Sequence, residues 1–259
     1  MTDHILKETS NGVLTLTFNR PDKKNAITRD MYQAMGDAID AAEFDRDVRC
    51  ILIQAEGDMF TAGNDLGDFA AVAAGDPSAN KAREAGNPLL TALARAKTPL
   101  VAAVNGRAVG VGVTMLFHCD LVYVAEDALL TTPFVNLALV PEAASTLTIP
   151  ARIGHVRAFS MFVLGEAVDA KRAVEWGIAN AMVPLGALRE VARKAAEAVA
   201  SKAPASVALT KAMMRDPAAL AERMSLEGAH FADRLRSAEA REAFAAFAEK
   251  RAPNIGTAS

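Results

Sequence analysis

Apolar and polar residues alternate from Ile5 to Asn19 around an Asn11-Gly12 break, and Val13, Leu14, Leu16 and Phe18 are strand-forming types. That pattern predicts two short strands joined by a tight turn. After Thr28 the period changes. Met31, Met35, Ala38, Ile39 and Ala42 recur at helical spacing, with Thr28 placed to cap the start. Val48 to Ala55 and Leu100 to Val104 are apolar runs that read as buried strands, each leading into a loop that contains glycine. Asp68 to Ala96 reads as helical, with breaks at Gly75-Asp76-Pro77 and Gly86-Asn87-Pro88. Gly110 and Gly112 open a short apolar helix. Leu121 to Ala125, Leu129 to Thr132 and Ile178 to Val183 read as strands, and Asp169 to Trp176 as a helix stopped by Gly177. From Leu188 to about Lys250 every periodic segment is helical, with joints at Pro204 and Pro217. The expectation is an α/β core over residues 1–200 followed by a helical C-terminal region over residues 201–259.

Composition narrows the function classes. The chain has 259 residues, 51% hydrophobic and 23% charged, as an ordinary globular protein does. A net charge of −3 supplies no Lys/Arg surplus to displace counterions from phosphates, so no nucleic-acid partner is expected. No apolar run approaches the ~20 residues of a membrane span, and Met1 to Lys7 shows no basic stretch leading into an apolar one. A cytoplasmic protein without a membrane partner is expected. Cys50 and Cys119 lie in apolar runs without CxxC spacing and read as buried free thiols. His4, His118, His155 and His230 are scattered without a ligand pattern, so no metal is expected.

Two loops share one design: buried strand, glycine-containing backbone, helix start. They are Phe60-Thr61-Ala62-Gly63-Asn64-Asp65-Leu66 and Val104-Asn105-Gly106-Arg107-Ala108-Val109-Gly110-Val111-Gly112. Backbone N–H groups at a helix start lack intrahelical partners and suit a developing negative charge. Two such donors meeting from separate loops make an oxyanion hole. Taken singly, either loop is also what a tight turn needs for steric reasons. Gly110-x-Gly112 falls too far along the chain for the dinucleotide fingerprint, which follows a first strand.

Together the motifs resemble the enoyl-CoA hydratase/isomerase (crotonase) superfamily. The resemblance rests on Thr98-Pro99-Leu100 through Gly112, then Cys119-Asp120 and Leu121-Val122-Tyr123, with Asn19-Arg20-Pro21, Asn25-Ala26, Gly177-Ile178-Ala179 and Phe247 to Arg251 in order around them. It implies a crotonase-like spiral of β-β-α units with a helical C-terminal trimerisation region, hence a homotrimer or dimer of trimers. It also implies an acyl-CoA substrate whose coenzyme A portion is not a separate cofactor. Carried over residue by residue, it assigns the oxyanion donors to the N–H groups of Asn64 and Val111. Most members have glycine where Val111 stands; the N–H survives, while the side chain narrows the space above the thioester. CoA-binding segments fall on Lys24, Asn25 and Ala26 and on Ala62, Gly63, Asn64, Asp65 and Leu66. Phe247 and Lys250 match tail positions that reach the CoA of a neighbouring subunit.

The reaction is read from carboxylates. Hydration of a conjugated double bond uses two, one for the water and one for carbon 2. The positions where hydratases carry them hold Thr114 and Phe134 here, so little or no hydratase activity is expected. A carboxylate stands instead at Glu142, in Leu139-Val140-Pro141-Glu142-Ala143-Ala144-Ser145, matching the catalytic position of the 3-enoyl-CoA to 2-enoyl-CoA isomerases. One base suffices there, removing a proton from carbon 2 and returning it to carbon 4. Thr114, Phe134 and Leu139 are expected to line the acyl pocket. Pro141-Glu142 also suits the opening of a helix over 143–153, the competing structural role for Glu142. Asp65 and Asp68 are rival carboxylates that equally fit helix starts. A hydratase-like or other enolate-forming enzyme using Glu142 or Asp68, and a non-catalytic acyl-CoA binding protein, remain the alternatives.

Overall fold

The computed structural model describes residues 2–65, 67 and 86–255; part of the expected 68–96 helical stretch, with Leu66 and Asp68, lies outside them. β1 (Ile5–Ser10) and β2 (Val13–Phe18) form the expected hairpin, Asn11 and Gly12 both taking the positive φ that its turn requires. α1 (Arg29–Ala42) starts at Thr28, whose side chain accepts from the Met31 N–H, and it buries the five positions read from the sequence. Next come β3 (Cys50–Ala55), α2 (Pro88–Arg95), β4 (Leu100–Val104), β5 (Arg107–Val109) and α3 (Val111–Thr114). β6 (Leu121–Ala125) and β7 (Leu129–Thr131) precede α4 (Ser145–Ile153) and α5 (His155–Phe159). β8 (Val168–Asp169), α6 (Ala170–Glu175) and β9 (Ala181–Val183) complete the strand-bearing part. Then the chain is helical: α7 (Leu188–Ala200), α8 (Pro204–Met214), α9 (Pro217–Leu235) and α10 (Ala238–Ala248). Pro204 and Pro217 both open helices, where a missing N–H costs nothing.

The main sheet has the order β1-β2-β3-β4-β6-β9, parallel from β2 onward. Its central strands are apolar on both sides because both faces are covered. Along β3, Ile51 and Ile53 join the core with α1 and α2, whereas Cys50 and Leu52 meet Leu188, Ala192, Ala196 and Ala200 of α7. Alanine at that helical spacing lets α7 lie close to the sheet. Burial pushes the thiols of Cys50 and Cys119 up to about 12, as inert core groups.

A second layer runs beside this sheet. β5 pairs with β7, β7 with β8, and single parallel bridges extend the ladder from Ala108 to Thr61 and from Asn64 to Ile27. Thus β2, β3, β4 and β6 are each followed by a short second-layer strand or bridge: the turning β–β–α spiral. Two expectations need correcting. The strand expected from Ile178 begins only at Ala181, because Ile178 and Ala179 turn back onto the Ala173 carbonyl behind Gly177. The helix considered from Ala143 begins at Ser145, because Ala143 and Ala144 take φ of 63° and 55°.

The C-terminal helices share the spiral's core: Phe231, Leu235 and Ala240 belong to the same buried cluster as Ile51 and Val104. Lys211 on α8 is buried and donates to Asp120 Oδ2 at 2.7 Å and to the Thr98 carbonyl at 2.9 Å, pinning that helix to the entry of β4. A buried ion pair is kept only when its remaining hydrogen-bonding capacity is met, as it is here. Among the described residues no helix is long and apolar enough to cross a membrane.

Candidate active site

The two glycine loops lie side by side in parallel register. Thr61 pairs with Ala108, three residues before Asn64 on one loop and three before Val111 on the other. The approach is close because residue 63 is glycine. A Cβ there would stand 2.8 Å from the Val109 carbonyl oxygen, on a backbone whose φ is +86°. Gly110, at φ 55° and ψ −115°, then turns the chain from β5 into α3 in a conformation that a side chain disfavours.

This geometry frees two N–H groups. The bridge to Ile27 uses the Gly63 carbonyl and the Asp65 N–H at 2.8 and 3.0 Å, so the Asn64 N–H points the other way. Val111 is the first residue of α3 and has no intrahelical acceptor for its N–H. Among the described residues, no hydrogen bond takes either group. Side chains fix the Asn64 loop: Tyr32 donates its hydroxyl to Asn64 Oδ1 at 2.6 Å, and Thr61 donates to the Asn25 carbonyl at 2.6 Å.

The first expected CoA segment is tied to the second through its backbone, Ala62 N–H donating to the Lys24 carbonyl at 2.9 Å. Asn25 is fully buried. Its Oδ1 accepts from the Arg20 N–H and its Nδ2 donates to the Glu56 and Met59 carbonyls, all at 2.8 Å. Its side chain therefore holds the loop, and Ala26 beside it is half-buried. Lys24 is exposed and pairs with Asp58 at 2.8 Å. Asp65 takes a 2.6 Å hydrogen bond from Arg20, which holds its carboxyl below the usual range, and its Oδ1 accepts from Gly67 N–H at 2.9 Å. Its carboxylate is thus engaged by Arg20 and the Gly67 N–H rather than free. Phe247 and Lys250 are exposed, at the end of α10 and just beyond it. No hydrogen bond, ion pair or ring contact among the described residues joins their side chains to these loops.

Glu142 is brought to the same place. Thr114, the last residue of the helix that Val111 begins, is buried and donates its hydroxyl to Glu142 Oε1 at 2.7 Å. The carboxylate therefore sits within one helical turn of the Val111 N–H. Glu142 precedes α4 rather than lying in it, and left-handed alanines occupy 138, 143 and 144 on either side. Such a conformation costs an alanine ~1–3 kcal/mol and persists only where its surroundings hold it. Val111, Phe134 and Leu139 are buried in one apolar cluster, and the Leu139 N–H donates to the Phe134 carbonyl at 2.9 Å.

The family model described as Enoyl-CoA hydratase/isomerase matches residues 8–257. The chain belongs to the enoyl-CoA hydratase/isomerase family. It is 32% identical over 259 residues to the 1,2-epoxyphenylacetyl-CoA isomerase of Escherichia coli (strain K12), covering 98% of this chain and 99% of that one. To the enoyl-CoA delta isomerase 2 of Rattus norvegicus it is 34% identical over 212 residues, 82% of this chain; the match spans about half, 54%, of the rat protein. The crystal structure of an enoyl-CoA hydratase/isomerase from Pseudoalteromonas atlantica T6c superposes with a TM-score of 0.90 at 41% identity, covering 97% and 99% of the two chains. The spiral is thus the crotonase fold, and the protein is an acyl-CoA enzyme of this family.

Three residues that order this site were not read as such from the sequence. His118 contacts the Glu142 segment from 25 positions away and Glu227 from 81, with Arg215 acting through His118, separations that no local pattern encodes. His118 was one of four scattered histidines. Its only signal was its place in an apolar run, where a histidine needs partners.

Proposed function

We propose that the enzyme shifts a double bond from the 3 to the 2 position of an enoyl-CoA, with Glu142 as the proton shuttle. The observation that carries this reading is the 2.7 Å hydrogen bond from Thr114 to Glu142 at the end of the helix begun by Val111. It supports the reading by bringing one carboxylate close to the Val111 N–H. With the thioester oxygen on the Asn64 and Val111 N–H groups, Glu142 removes a proton from carbon 2 and the charge spreads into a dienolate held by the two donors. Each donor is worth ~10²–10³ in rate by precedent. The protonated Glu142 then returns its proton to carbon 4, leaving the bond conjugated. No second base is needed, and Thr114 and Phe134 supply none for water. The rat relative's name, an enoyl-CoA delta isomerase, supports this chemistry.

The test is the rise of conjugated enoyl-thioester absorbance from 3-hexenoyl-CoA. Glu142→Gln is expected to lose turnover by ~10²-fold or more while still binding CoA; full turnover in that variant removes Glu142 from the mechanism. Appearance of 3-hydroxybutyryl-CoA from crotonyl-CoA argues instead for the hydratase-like alternative. Tight acyl-CoA binding without proton exchange at carbon 2 in deuterated water marks a binding protein. We place the reaction in the oxidation of unsaturated fatty acyl chains. The exposed Leu209, Met213 and Met214 of α8, at 65, 81 and 79% exposure, support a trimeric assembly, which sedimentation measures.

A further inference from the structure

The segment that carries Glu142 is held at its C-terminal end by residues that the proposed chemistry does not use. Glu227, on α9, is buried. Its Oε1 accepts from the Thr146 N–H at 2.9 Å and from the Thr146 hydroxyl at 2.5 Å. Thr146 lies in the first turn of α4, where the residue in the capping position, Ala144, has no side chain able to cap. Glu227 supplies that cap from another helix. On the other side, the Ala143 carbonyl accepts from His118 Nε2 at 2.7 Å. Arg215 donates to His118 Nδ1 at 2.9 Å and to the His118 carbonyl at 2.8 Å. An arginine only donates, so Nδ1 carries no proton and Nε2 does.

These contacts grip the two left-handed alanines from both sides. Without them the segment lowers its energy by relaxing toward the right-handed helix that follows, which rotates Glu142 away from Thr114. We propose that Glu227 is a positioning residue for proton transfer: by fixing Thr146 it holds the Ala143–Ala144 turn that aims the Glu142 carboxylate. The C-terminal helices thereby take part in setting the active site. Burial raises the Glu227 carboxyl above its usual range, against the hydrogen bonds from Thr146 that lower it. Oε2 and Ser145 Oγ are the two buried side-chain polar atoms left without a partner among the described residues.

The inference rests on Glu142 as the shuttle, so Glu142→Gln is measured alongside Glu227→Ala and Glu227→Gln. Glu227→Ala is expected to lower kcat about tenfold or more with KM within about twofold, since substrate contacts are intact and only the acid is misplaced. Glu227→Gln keeps an oxygen acceptor for Thr146 at the same reach and is expected to hold kcat within about twofold of the wild type. A purely structural cap predicts a lower melting temperature with wild-type kcat in the folded enzyme. An inactive Glu142→Gln with an unimpaired Glu227→Ala overturns this inference alone; full turnover in Glu142→Gln overturns both. Should the alanine variant not fold, Thr146→Val, which deletes the hydroxyl that donates to Glu227 and accepts from Arg223 Nη1 at 3.3 Å while keeping the N–H bond to Glu227, is expected to lower kcat about threefold. Wild-type kcat there counts against the proposal.

Discussion

Ala144→Gly tests the backbone on which the placement of Glu142 depends, because its sign differs between the two conformations the sequence allows. Ala144 is fully buried, packs with Ala94 and Leu220, and has φ of 55°. Glycine there relieves the left-handed penalty of ~1–2 kcal/mol that a Cβ imposes. Against that gain stand the added freedom of the unfolded chain, about 0.4–1 kcal/mol, and one buried methyl, about 0.8 kcal/mol. The contributions nearly cancel, so stability is expected to stay within about 0.5 kcal/mol of wild type. Had Pro141-Glu142 opened a helix running through Ala144, glycine would cost about 1 kcal/mol in propensity as well as the methyl, roughly 2 kcal/mol in all. Urea unfolding followed by the fluorescence of Trp176, the single tryptophan, separates these values at fixed protein concentration. A loss near 2 kcal/mol refutes the left-handed turn and the placement of Glu142 with it.

Further outcomes follow from other parts of the site. Gly63→Ala puts a Cβ 2.8 Å from the Val109 carbonyl oxygen at φ +86°, so Asn64 must shift; kcat/KM is expected to fall by ~10² in steady-state assays, and an unchanged value argues against the Asn64 donor. Thr114→Val removes the hydroxyl that orients Glu142 while keeping the volume, and kcat is expected to drop about tenfold, the order of a hydrogen bond to a charged group. Burial first, and the Arg215 charge second, lower the His118 pKa from 6.5 to about 4. The unfolded chain therefore binds a proton that the folded one refuses as pH falls from about 6.5 toward 4, and about 3 kcal/mol of stability present above that window is lost across it. Unfolding curves at several pH values for wild type and His118→Gln are expected to diverge over this range; parallel pH dependence contradicts the neutral, buried imidazole.

Where a short stretch of chain determines its own shape, the sequence could be read. Thr28 caps α1 because its hydroxyl reaches a donor three residues on, and Gly177 ends α6 by local geometry alone. Two loops of the same design were visible in the sequence, but the reason for their glycines was not: Gly63 answers to the Val109 carbonyl and Gly112 to Thr61, each on the other loop. By contrast β5 and β8 hold three and two residues, too few for a period to declare itself, and they exist because the spiral stacks them. The Glu142 segment is the extreme case. Its alanines favour a right-handed helix locally, and the sequence around Pro141 fits one. What reverses that preference is a cap from α9 and a histidine oriented by Arg215, both supplied by the fold after it has closed. A local preference overridden at a cost of ~1–3 kcal/mol per alanine, next to the carboxylate that the proposed chemistry uses, is what a conformation kept for function rather than stability would look like.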